Sequence, residues 1–270
     1  MIDPIFLVEA AINGIMLGGI LALLALGLNL IFGVIDIVWI AYVDLVMVCM
    51  YALYFLVQVY GWPFWLGALA TVAFGAALGV GVHLLIISPI LGSAPVNQLL
   101  ATGGLLFFLQ SFATFLWTTD HKSVRFSLPS WELGGIFFPA TRLIPFAISI
   151  VALVGLYVFL TRTYMGTAIR AVSQDREAMA LMGASPQRIY LVTSAVGGLM
   201  AGLAGALLTF QYSVHPFFGN QFGPLTFMIC VLGGLGNMVG AFVASFIMSE
   251  IISIAGVVWS TEMGYVIAFV

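Results

Sequence analysis

An all-α, polytopic transmembrane helical bundle of about eight spans is the fold class this sequence predicts. Three observations carry that reading. Of 270 residues, 63% are hydrophobic and 6% charged, whereas soluble domains sit near ~45–50% and ~25%. The charges are confined: none lies between Glu9 and Asp36, within 45–119, or within 189–249. At ~1.5 Å per helical residue, each run is long enough to cross a hydrocarbon core of about 30 Å at least once. Lipid offers the backbone no hydrogen-bond partner, so the spans are helices.

The same composition excludes a secreted disulfide scaffold, a disordered chain and a nucleic-acid binder, which needs a basic face. The two cysteines, Cys49 and Cys230, fall inside apolar runs and read as buried spectators. The N-terminus has no basic segment ahead of its apolar run, which is too long for a signal-peptide core and reads as a retained span. The net charge of −3 says little; the positions of the charges say more.

The first span fills the gap from Glu9 to Asp36. Turn chemistry divides the next charge-free stretch. Breaks at Tyr60-Gly61-Trp62-Pro63 and at Ser88-Pro89 through Ala94-Pro95 leave spans near 38–59, 63–87 and 97–118. A polar loop of about 119–142 holds Asp120, Lys122, Arg125 and Glu132, and 143–161 form the next span. Residues 162–188 carry Arg162, Arg170, Arg176 and Arg188, four of the seven basic residues. The run from 189 is broken near His215-Pro216, and further apolar chain continues through Glu250 and Glu262 to Val270. The positive-inside rule puts 162–188 in the cytoplasm. Counting back places 119–142 outside, 88–96 inside and the N-terminus outside. The whole of 1–270 reads as one transmembrane domain.

Small residues recur four apart at Gly14/Gly18, Gly75/Gly79, Gly198/Gly202 and Ala201/Gly205. Such spacing lets helices approach closely, either within one bundle or across a dimer.

The 162–192 segment is the most informative. Ser173 reads as an N-cap, with Asp175 and Glu177 in the first helical turn, where the dipole favours acids. Ala178, Met179, Leu181 and Met182 give a short apolar helix, Gly183 stops it, and Ser185-Pro186 starts the next span. An exposed apolar helix flanked by arginines suits a groove on a partner or the lipid interface.

The sequence resembles the permease subunits of branched-chain amino acid ABC importers, of the LivH/LivM type, from about Ala11 to at least Ile252. The resemblance rests on Asn13-Gly14 through Ala25-Leu26-Gly27-Leu28-Asn29-Leu30-Ile31-Phe32-Gly33, and on Arg162-Thr163, Gly166-Ala168-Ile169-Arg170-Ala171 and Met182-Gly183. It continues in Ala201-Gly202-Ala204-Gly205 and in Val231-Leu232-Gly233-Gly234-Leu235-Gly236-Asn237-Gly240-Ala241. The set in this order is specific, although no single glycine motif is. The resemblance implies a multi-pass permease of the bacterial inner membrane that moves branched-chain or related amino acids inward. It implies two ABC ATPase subunits, a second LivH/LivM-like permease, a periplasmic substrate-binding protein and surrounding membrane lipid as partners. It also implies that 166–188 is the ATPase-coupling loop, with Gly166, Arg170, Asp175, Glu177, Ala178, Met179, Leu181, Met182, Gly183 and Arg188 as its residues. Urea or short amides as cargo, and a self-powered secondary transporter, are the alternatives. The chain departs from the family at Trp39-Ile40-Ala41-Tyr42-Val43, where relatives carry Asn-Phe-Ala-His/Gln-Gly. It has no arginine at 88–96, and it stops at Val270, where relatives continue into a basic tail, so a truncated chain is expected.

A translocation path has candidates in Asn29, Asp44, Gly233, Gly234, Gly236 and Asn237. The glycine run weakens helix and Asn237 is suited to cap the helix after it, so a helix broken at membrane depth is one reading and an ordinary turn the other. Asp44 lies six residues beyond a loop, favouring an interfacial or capping role. Glu250 falls near the end of a span, and His83 reads as a satisfied core histidine. Asn29 and Gln110 are placed to hydrogen-bond across helices. No P-loop is present, and the sole lysine is Lys122. No spacing fits a metal site. Neither catalytic residues nor a cofactor is expected, and the driving energy comes from elsewhere.

Overall fold

A computed structural model describes residues 4–124, 130–133, 136–183 and 185–269. Side chains are described for these residues apart from Pro4, Ile5, 130–133, 136–138, Thr261 and Glu262. The expected loop 119–142 therefore lies partly outside the described residues, Arg125 included.

Helix α1 (Pro4–Ile35) is the axis of the bundle. It is uniformly apolar and mostly buried by its neighbours, so it is shielded from lipid as well as from water. After it come α2 (Tyr42–Tyr54), which continues as a π-turn over Phe55–Val59, and α3 (Phe64–Val82), which continues through a π-turn (His83–Ile87) into α4 (Ser88–Ile90). Then α5 (Pro95–Trp117) leads to a small hairpin of β1 (Ser130–Leu133) and β2 (Ile136–Pro139). The second half comprises α6 (Ala140–Arg162), α7 (Tyr164–Gln174), α8 (Arg176–Leu181), α9 (Pro186–Leu208), α10 (Phe218–Gly233), α11 (Met238–Val258) and α12 (Thr261–Phe269).

Among the described residues seven helices are long and apolar enough to cross a membrane. Helix α10, whose 16 residues extend only about 24 Å, is not among the seven. The fold is the expected polytopic helical bundle. Against α1 stand α6, α9, α10 and α11, with α2 bridging α9 and α10, α3 outside α9 and α5 outside α2. The ring is closed by helix-on-helix packing except between α6 and α11, which both lie on α1 but not along one another.

The four-residue glycine spacing serves packing within the chain. Gly75 and Gly79 of α3 cross Gly198 and Gly202 of α9 so closely that a Cβ at Gly198 would meet the Gly75 carbonyl oxygen. Gly14 and Gly18 receive Glu250, Ser249 and Phe246 of α11, and Gly205 lies on Cys49 of α2. Glu250 is thus packed against α1, and α11 runs a further two turns to Val258. Glu250 therefore lies about two turns before the end of its span.

The ends of the bundle are distinguishable. Phe32, Gly33 and Asp36 at the C-terminal end of α1 share a cavity with Ser173, Gln174, Arg176, Tyr190 and 235–237. Phe6 and Glu9 at its other end share one with Arg142, Tyr212 and Tyr265. The N-terminal end of α1 and the arginine-rich 162–188 segment therefore lie at opposite ends, the arrangement the positive-inside count expects.

Two boundaries differ from the sequence reading. The second span does not begin at 38: residues 36–41 are not helical, yet Ile37, Trp39 and Ala41 are buried. Asp36, at φ 60°, turns the chain back towards the bundle. The Tyr42 hydroxyl reaches the level of Gly27 and Gly197, about 12 Å above the end of α1 at ~1.5 Å per residue. Non-helical backbone at that depth persists where protein surrounds it; here the Thr102 hydroxyl donates to the Val38 carbonyl at 3.0 Å. Conversely, 234–237 is a turn at the arginine-rich end. Gly234 and Gly236 take φ +89° and +84° there, a conformation glycine adopts without strain. The non-helical stretch that protein encloses is the α1–α2 connection at 36–41, whereas 235–237 is an exposed turn.

Candidate functional site

Two arrangements of polar and exposed groups stand out, one in the membrane and one at the arginine-rich end.

In the membrane, Asp44 sits in the first turn of α2 and is 1% exposed. Gln110, on α5, donates through Nε2 to Asp44 Oδ1 at 2.9 Å and to Asn220 Oδ1 at 2.9 Å. Asn220, in the first turn of α10, faces outwards. Gly219 lies directly on the Asp44 carboxyl group, where no side chain would fit. Three helices thus converge on one polar cluster inside an apolar bundle. The re-entry at 36–41 brings α2 to this depth with its first turn against α10. The expectation of an interfacial or capping Asp44 is corrected: Ala41 occupies the N-cap position, and Asp44 is enclosed.

Beside this cluster opens a cavity of about 540 Å³ lined by Trp39, Tyr42, Leu106, Asn220, Pro224 and Phe227. Its walls are apolar and aromatic, with Asn220 as the polar group shared with the Asp44–Gln110 cluster. The Tyr42 hydroxyl is turned away and donates to the Gly197 carbonyl at 3.0 Å. The cavity offers shape and apolar area on one side and hydrogen-bonding groups on the other, the combination of small-molecule sites.

The other path candidates are elsewhere. Asn29 accepts from the Gly236 amide at 2.7 Å, and Asn237 accepts from the Gly240 amide at 3.1 Å, capping α11. Gly233 and Gly240 allow α10 and α11 to touch through their backbones. Asn29, Gly236 and Asn237 line a cavity between α1, α6 and α11, on a different flank of α1 from Leu28, which faces the Trp39 cavity. The structure does not bring them together with Asp44. Asn220 and Gln110 complete the Asp44 cluster, and both are polar residues in charge-free runs.

At the arginine-rich end, α7 buries Gly166, Ala168, Ile169 and Val172 along one face. The Thr163 hydroxyl accepts from the Gly166 amide at 3.0 Å to start it. The backbone of α6 lies so close to Gly166 that a side chain there would strike Phe159 and Leu160. Helix α8 then begins at Asp175, whose carboxylate accepts from the amides of Glu177 at 3.0 Å and Ala178 at 2.9 Å. The expected cap, Ser173, lies inside α7 and donates to the Arg170 carbonyl instead. Glu177 is in the first turn, as expected. Gly183 ends the helix at φ +84°. Ser185 occupies the N-cap position of α9 with Pro186 following, though its side chain makes no capping bond.

Met179 packs inwards against the core, so it is not part of the exposed apolar face. That face consists of Leu181, 89% exposed, and Met182, 84% exposed. Arg170, Arg176, Glu177, Ala178 and Arg188 surround it and are also exposed. Two large apolar side chains are held out beyond the arginine-rich end, on a helix fixed by its own cap and stop, and form an exposed apolar knob.

Comparison with known proteins gives the family of the chain. A family model described as "Branched-chain amino acid transport system / permease component" matches residues 10–270. The high-affinity branched-chain amino acid transport system permease protein LivH of Escherichia coli K12 is 25% identical over 284 residues, covering 98% of this chain and 91% of LivH. BraD of Pseudomonas aeruginosa, a permease protein of the same description, is 24% identical, covering 97% of this chain and 90% of BraD. A probable LivH of Methanocaldococcus jannaschii is 26% identical over 87% of this chain and 77% of its own length. No solved structure matches the chain significantly.

Proposed function

This chain belongs to the family of branched-chain amino acid transport permeases, and we propose that it is the membrane subunit of an ATP-driven importer for branched-chain or related amino acids. It is a multi-pass protein of the bacterial inner membrane. In this reading it has no catalytic activity of its own. Two ATPase subunits drive it, a second LivH/LivM-like permease completes the path, and a periplasmic binding protein delivers the cargo.

The observation that carries the reading is the outward-held Leu181–Met182 pair on the capped helix α8. It is the part of the arginine-rich end built to enter a groove on another protein. Helix α7 anchors α8 to the bundle through its buried face, so a push on α8 is delivered to α6, α9 and α1. ATP-driven closure of the partners would then rotate the helices as rigid bodies and alternate access to the path. The cargo meets the Trp39 cavity and the Asp44–Gln110–Asn220 cluster: aliphatic side chains suit the apolar wall, and the amide groups orient the polar end.

The test is uptake of labelled leucine by cells carrying this chain as their only LivH-like permease. Uptake should stop when ATP is depleted and persist when the proton and sodium gradients are collapsed. Uptake that survives ATP depletion and follows a gradient would overturn the reading in favour of a secondary transporter.

A further inference from the structure

The opening between α6 and α11 has a composition of its own. Its middle is a cavity of about 260 Å³ lined by Leu26, Leu153, Val154, Tyr157, Val239 and Phe242. Here the lining is almost wholly apolar, and α1 forms its floor. Towards the arginine-rich end it runs into a second cavity of about 350 Å³. The two share Tyr157, Met238 and Val239, so they form one groove. The second cavity carries polar groups: Thr161, Arg170, Ser173, Asn29 and Asn237. Arg170 is exposed. Asn29 is 0% exposed, and its Nδ2 has no hydrogen-bond partner. A buried donor left unpaired costs about 1–3 kcal/mol, so a native protein normally supplies an acceptor.

We propose that this groove is a binding site for an anionic phospholipid of the cytoplasmic leaflet. One acyl chain lies on α1 between α6 and α11. The phosphate faces the guanidinium of Arg170. An ester or phosphate oxygen at the level of Asn29 accepts from its free Nδ2. Charge decides the class of lipid. Among the described residues the charged side chain lining the groove is Arg170. The adjoining cavity, which shares Gly33, Val34, Ser173, Gly236 and Asn237, adds Arg176 and Asp36, so the mouth is net positive. Basic pockets between helices on the cytoplasmic side select acidic headgroups. A helix of another protein would fill the apolar middle equally well but would leave Arg170 and the Asn29 donor unexplained. The site ties membrane composition to the moving part, because Arg170 and Ser173 belong to α7, which carries α8.

The experiment is native mass spectrometry of the full chain, with whatever subunits it carries. The sample is stripped of lipid and given equal amounts of dioleoyl phosphatidylglycerol and dioleoyl phosphatidylcholine. The wild type should retain one phosphatidylglycerol in preference to phosphatidylcholine. Arg170→Gln should lower that preference about fivefold, the equivalent of ~1 kcal/mol for one cationic side chain. Arg170→Lys should restore it, and Arg188→Gln, whose residue does not line the groove, should leave it intact. Val239→Trp should reduce retention of both lipids by filling the shared wall. Equal retention of the two lipids, or an unchanged preference in Arg170→Gln, overturns the proposal. So does disulfide capture of a second permease by Val154→Cys and Val239→Cys, which would make the groove a subunit interface.

Discussion

Gln110 binds Asp44 and Asn220 through a single nitrogen, 2.9 Å from each acceptor, and so joins α2, α5 and α10 at one point within the membrane. Removing that donor leaves a buried carboxyl group without its partner, at a cost of about 1–3 kcal/mol for a neutral group and more for a charged one. Gln110→Leu should therefore lower the thermal unfolding midpoint of the purified chain by several degrees and abolish uptake. Asp44→Asn, which can still accept from Gln110, should be the milder change. Equal stability of Gln110→Leu and wild type would show that the cluster holds nothing together.

The crossing of α3 and α9 has no room for side chains at its centre. Gly198→Val should prevent folding, read as loss of the monodisperse peak in detergent, because its Cβ meets the backbone of Gly75 and Gly79. Gly155→Ala, at a position with open space around it, should fold normally. Survival of Gly198→Val would mean that the two helices are not packed as described.

The α8 knob can be weakened without touching the bundle. Asp175→Ala removes the carboxylate that caps α8, a change worth ~1 kcal/mol. Gly183→Ala forces a side chain into φ +84°, at roughly 1–2 kcal/mol. Both variants should express at wild-type level and transport several-fold more slowly. A matching fall in expression would instead assign these residues to folding.

The end of the bundle that carries the N-terminus should respond to acid. His215 packs against His121 with ring centroids 4.5 Å apart and the rings tilted by 48°. Burial, together with the charge of His121, holds the His215 pKa below its usual 6.5, against a raising contribution from the Ser213 backbone. A depressed histidine favours the folded state fully above pH 6.5 and progressively less as pH falls below it. Protection of 209–217 against hydrogen exchange, taken relative to the intrinsic exchange rate at each pH, should fall between pH 7 and pH 5, and His215→Gln should flatten the response. An unchanged pH profile in His215→Gln would clear the pair of that role.

Much of this was legible in the sequence, and the limits are physical. Charges mark the spans because each is costly in lipid, and Asp175, Gly183 and Pro186 mark the boundaries near α8 because caps and stops act locally. Ser173 and Asp175 are both competent caps, and spacing alone does not choose between them; the buried face of α7, which extends to Val172, does. The re-entry at 36–41 escaped because its residues are as apolar as a span. Gln110 is 66 residues from Asp44 and 110 from Asn220 in sequence, and only packing reveals that they meet.

The central claim is that α8 docks on ATPase subunits, and affinity purification from native membranes in mild detergent tests it most directly. The wild type should bring down P-loop ATPases and a second permease, identified by mass spectrometry. Leu181→Arg, which places a charge on the exposed knob, should bring down the permease without the ATPases. A folded wild type that comes down alone, or ATPases that stay bound to Leu181→Arg, would contradict the account.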